Sequence, residues 1–120
     1  MQWKSLGKIT TDVGTPVRLT ANETTPTAAY QVYAILAIAV RSNTKPVHIL
    51  SSSTARNATT EANTLATIAV PTLTSGQPTV LPSASASRPS IAWQGDFNVA
   101  SYYLDVEANG EGVIISVLAP

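Results

Sequence analysis

The chain contains no cysteine. Disulfides, thiolate metal sites and a cysteine nucleophile are therefore excluded. Charge is also scarce: Asp, Glu, Lys and Arg make up 12% of 120 residues, about half the usual share. Seven basic side chains balance seven acidic ones, so the formal net charge is zero. A nucleic-acid binder needs a clustered basic excess to neutralise phosphates, and a polybasic membrane contact needs the same. Neither partner is expected. The longest apolar run, 32–40, stops at Arg41 and is too short to span a membrane. The start at Met1 has no apolar run of signal-peptide length, which leads to an expectation of synthesis in a cytoplasm.

Catalytic motifs are missing as well. His48 is the single histidine, so a two-histidine metal site cannot form within one chain; three copies on a trimer axis could gather one. No Gly-x-Ser-x-Gly elbow presents a serine, and the six glycines form neither a dinucleotide nor a phosphate loop. Seven aromatics are too few for a glycosidase cleft with stacking subsites. No enzyme and no cofactor are expected, and His48 reads as a partly exposed strand residue.

What remains is a chain rich in small side chains: 16 Thr, 12 Ser and 17 Ala. A surface so poor in charge keeps neighbouring molecules apart badly, which favours a protein that works in an assembly. Apolar, β-branched runs separated by turn formers predict an all-β chain. The runs are 6–11, 15–20, 30–40, 47–51, 64–70, one starting at Ile91, 102–107 and 113–118. Asp12-Val13-Gly14 reads as the turn of a hairpin joining the first two. Asn109-Gly110 is the strongest short hairpin signal and predicts pairing of the last two runs, with positive φ at Gly110. In 30–40, period-two alternation puts Val32, Leu36, Ile38 and Val40 on the core face, with Ile49, Leu104, Val106, Ile115 and Val117 opposite them. Seven or eight such strands bury their apolar faces as an antiparallel β-sandwich, jelly-roll-like, in one domain over 1–120.

Two further readings concern sites. Asp105, Glu107, Asn109 and Glu111 recur at every second position, like the first half of a calcium loop, but Ser116 stands where the closing acid belongs. Solvated carboxylates on a hairpin are the expectation, with a weak calcium site near Asp105 and Glu107 as the sharper reading. Trp93, Phe97, Tyr102 and Tyr103 read as packing; exposed together, they would instead offer a sugar-stacking platform. The sequons at Asn22 and Asn57 lack a leader and are discounted.

Three segments resemble small structural proteins of tailed bacteriophages. They are Asp12-Val13-Gly14-Thr15-Pro16-Val17-Arg18-Leu19-Thr20, the Asn43-Thr44 turn followed by Val47-His48-Ile49-Leu50-Ser51, and Leu104-Asp105-Val106-Glu107-Ala108-Asn109-Gly110-Glu111-Gly112-Val113. The Pro- and Ser-rich stretch 71–90 departs from the usual short connection. The resemblance implies a virion protein of the capsid decoration or cement type, a homotrimer on the outer capsid surface whose partner is the major capsid protein. It implies no catalytic residue. The N-terminal segment 1–8 and the stretch 71–90 are the expected contact regions, through Trp3, Lys4, Pro78, Pro82 and Arg88, with Trp3 as anchor. The alternative is a tail or fibre module that recognises host carbohydrate.

Overall fold

Each apolar run becomes a strand. The computed structural model describes residues 1–56, 63–70 and 90–120. Among them are β1 (Gln2–Thr11), β2 (Val17–Arg18), β3 (Gln31–Ala39), β4 (Val47–Leu50), β5 (Thr64–Ile68), β6 (Ser90–Asn98), β7 (Tyr103–Val106) and β8 (Glu111–Ala119), with one 3-10 turn at Val99–Ser101. They form two antiparallel four-stranded sheets in the orders β1-β8-β3-β6 and β2-β7-β4-β5. The pairing is nested: β1 with β8, β2 with β7, β3 with β6 and β4 with β5. The β3–β8 and β4–β7 ladders then complete each sheet. This is the wound-up order of a jelly-roll sandwich, the architecture expected from the strand count and patterning.

The winding overturns both predicted hairpins. β1 and β2 lie in different sheets, and so do β7 and β8. The turn at Asp12-Val13-Gly14 does form, with the Thr15 amide donating to the Asp12 carbonyl at 3.1 Å, and Gly110 has the expected positive φ of 78°. Both turns carry the chain from one sheet to the other. They are tied together: Val13 N–H donates to Asn109 Oδ1 at 2.9 Å, and Gly110 N–H donates to the Thr11 carbonyl at 2.9 Å. Register set by a tight turn is thus replaced by contacts between two crossings at one end of the sandwich.

The core is aliphatic and lies between the sheets, with Ile49, Leu104, Val106, Ile115 and Val117 buried as expected. β3 departs from the reading. Val32 is buried, but after a register shift between Val32 and Ala34 the core residues are Ile35, Ala37 and Ala39. Leu36 and Val40 are half-buried and Ile38 is 40% exposed. The cause is the period-two geometry of a strand: one irregularity moves every later side chain to the other face. The segment 1–8 is not an appendage either. It is most of edge strand β1, and Leu6 sits in the core. The bond pattern of β8 against β1 is close: a Cβ on Gly112 would lie 1.8 Å from the Ile9 carbonyl oxygen.

Candidate interaction surface and a polar row on the opposite sheet

Alternation along β8 decides what the first sheet shows to solvent. Val113, Ile115 and Val117 are fully buried, so Ile114, Ser116 and Leu118 point away from the core. Their ladder partners share that outer face. One row reads Trp3, Leu118, Ala34, Gln94; the next Ser5, Ser116, Leu36, Ala92; the third Lys8, Ile114, Ile38, Ser90. Lys8 is the one charged side chain in these rows. Trp3 is 56% exposed, with Ile38 and Ile114 near 40% and 39%. The outcome is a face that carries Trp3, Leu118, Leu36, Ile38 and Ile114 among small and polar side chains, with a single charge.

Trp3, the expected anchor, lies at one corner of this face on an edge strand. Lys4 points the other way, as partner of buried Val117, and its ammonium sits 5.5 Å from the centre of the Tyr30 ring. Hydrogen bonding to Tyr30 leads in holding the Lys4 ammonium above the usual lysine range, with the Glu23 carboxylate adding to it. Lys4 is thus tied within its own chain. Pro78, Pro82 and Arg88 lie outside the described residues, as do most of 71–90 and the sequon at Asn57. The Asn22 amide of the other sequon donates to the Leu6 and Lys8 carbonyls at 3.1 and 3.0 Å, covering part of the free edge of β1.

The aromatics do not form one platform. Trp93, Phe97 and Tyr102 pack against the core, Phe97 and Tyr102 edge to face with centroids 6.1 Å apart. Together with Ile35, Ile49 and Leu65 they line a cavity of about 250 Å³ where β5 and β6 flank the sandwich. Tyr103 belongs to the other sheet, against the Arg18 guanidinium at 5.0 Å.

Of the three carboxylates expected to be solvated, Glu107 is exposed, whereas Asp105 and Glu111 are built into the fold. Asp105 is buried and accepts from the Arg56 and Val106 amides at 2.9 and 3.0 Å. Glu111 is buried at the crossing between β3 and β4. One of its oxygens accepts from the Thr44 amide and hydroxyl at 2.6 and 2.7 Å, the other from the Lys45 amide at 3.0 Å. Burial acts to raise the Glu111 carboxyl, but the hydrogen bonds from Thr44 and Lys45, with the Lys45 charge, outweigh it and hold the carboxyl below its usual range. Beside it the Asn43 amide bonds both the N–H and the carbonyl of Gly112, at 3.1 and 2.8 Å. No group of three or more His, Asp and Glu among the described residues is placed to hold a metal ion.

His48 is buried, not partly exposed. On β4 it stands directly opposite Thr67 of β5 and Asp105 of β7, on the outer face of the second sheet. Its Nδ1 is 2.8 Å from Thr67 Oγ1 and its Nε2 is 2.7 Å from Glu107 Oε2. The Arg56 guanidinium lies 3.7 Å beyond, on the same Glu107 oxygen. The segment after β4 returns over this face, since the Arg56 amide reaches Asp105. Sequence reasoning missed this row because it needs β4 and β5 in register with the chain leaving β7. The shared parity of Asp105 and Glu107 was the one local signal. Comparison with known protein families, with characterised proteins and with solved structures yields no match.

Proposed function

We propose that the chain is a structural protein of a bacteriophage virion, a cement protein that decorates and stabilises the outer capsid shell as a homotrimer. The observation that carries this reading is the apolar outer face of the β1-β8-β3-β6 sheet, with Trp3 exposed at its corner and one charge in its three rows. A flat face of small and aliphatic side chains suits repeated contacts, because Ser, Thr and Ala lose little rotamer freedom when ordered. A lattice then multiplies weak contacts through high effective concentration. Jelly rolls recur among viral capsid domains, which supports the reading by analogy of fold alone. The phage-like segments of the sequence support it independently.

The test is binding of the purified protein to capsids that lack it, with copy number read by densitometry. Binding is expected to persist from about 0.1 M to about 1 M salt, since an apolar contact is little screened. Ile38→Lys combined with Ile114→Lys should abolish binding while leaving the fold intact. A monomer that fails to bind such shells overturns the proposal.

A further inference from the structure

We propose that Thr67 is an activated nucleophile, poised by His48 and Glu107 to take an acyl group from an activated ester. The inference is independent of capsid decoration. Two neighbouring strands and the bend just after β7 lay hydroxyl, imidazole and carboxylate in a row. Thr67 Oγ1 lies 2.8 Å from His48 Nδ1, and His48 Nε2 lies 2.7 Å from Glu107 Oε2. The roles follow from the donors available. The Glu107 carboxylate only accepts, so the imidazole N–H is on Nε2. In the neutral ring Nδ1 then carries a lone pair aimed at the Thr67 hydroxyl, which donates to it. This is the logic of a nucleophile, a base and an orienting acid. Here the hydroxyl and the imidazole are mounted on sheet strands, which hold geometry better than loops do, and the carboxylate follows directly on the end of β7.

Exposure divides the row in the sense the chemistry needs. His48 is buried, whereas Thr67 is exposed on edge strand β5. The exposed edge-strand residue of the row is thus the one a dissolved ester would meet first. The charged groups facing the ring are Glu107 and, across the ladder, Asp105; Arg56 is 3.7 Å from Glu107 and also binds Asp105 through its amide. Arg56 neutralises part of this acidic pair and keeps Glu107 in place beside Nε2.

Thr67 Oγ1 forms a bond to the ester carbonyl carbon while its proton passes to His48 Nδ1. The tetrahedral centre collapses, the bond to the leaving oxygen breaks, and His48 returns the proton to that oxygen. Thr67 is left as an ester and Glu107 stays ionised throughout.

The experiment treats the full chain with p-nitrophenyl acetate, follows p-nitrophenol release and maps the acetyl group by peptide mass spectrometry. One equivalent should be released in a burst, with acetyl on Thr67. Thr67→Val should abolish the burst. Glu107→Gln should slow it about a hundredfold, the usual scale of general-base assistance. Both positions are exposed, so these variants should keep the wild-type circular dichroism, whereas His48→Gln tests the same point at a buried site. Acetyl confined to lysines or the amino terminus, or a Thr67→Val burst equal to wild type, overturns the proposal.

Discussion

Glu111 shows how one side chain can hold two sheets together. It sits at the start of β8 in the first sheet, and its carboxylate binds Thr44 and Lys45 just before β4 of the second. Replacing it with alanine would leave the Thr44 and Lys45 amides without this acceptor. A loss of about 2–3 kcal/mol is expected, measured by urea unfolding. The pH dependence follows from the lowered carboxyl. A group whose folded value lies below its unfolded value adds stability at pH above the unfolded value, and that stability disappears as pH falls through the folded one. Stability should therefore drop as the pH is lowered from about 4.3, the usual glutamate value, and continue to drop below it. In Glu111→Gln this part of the decline should be absent from melting curves recorded between neutral and acid pH.

At the scale of elements, β3 and the crossings are the informative cases. Ile35→Ala should cost about 2–5 kcal/mol, the range for a buried aliphatic truncation, and Leu36→Ala clearly less, because Leu36 faces outward and is half-buried. Equal losses would show that β3 keeps one parity throughout. Gly110 and Gly112 should also differ. Gly110 has room around it but a φ of 78°, so Gly110→Ala should cost about 1–2 kcal/mol of backbone strain. Gly112→Ala drives a methyl into the backbone of β1 and should prevent folding at 37 °C, read by loss of soluble protein. Strand positions were legible in the sequence, since β-branched runs bounded by Gly, Pro, Asn and Asp can do little else. Partners were not. A turn such as Asn109-Gly110 is equally tight whether it joins neighbours in one sheet or steps between two. The face of β3 was illegible for another reason: Ile35, Leu36, Ala37 and Ile38 are all apolar, so alternation carries no contrast. The same ambiguity hid the outer face, which is built from the residue types of the core. Trp3 was legible there because a large aromatic near a chain end stands out.

For the molecule as a whole, deleting residues 1–5 removes Trp3 and the Gln2–Ser5 rungs of the β1–β8 ladder but spares Leu6 and Ile9. The truncated chain should fold with a lower melting temperature and bind bare capsids at least tenfold more weakly; unchanged binding would move the contact away from Trp3. The nesting of the strands has a consequence in time. Gln2 pairs with Ala119 and Thr11 with Glu111, so the first strand waits for the last. During translation, at roughly 5–20 residues per second, strand β1 emerges early with Trp3, Leu6 and Ile9 uncovered. No rung of its ladder can close until 111–119 has left the ribosome. Among the described residues the inner pair β4–β5 is the ladder whose halves arrive closest together, so it is where a nascent chain can begin to order. A force-sensitive arrest peptide placed at increasing distances behind the chain should register its main pull only after 119 clears the exit tunnel, in a single late step.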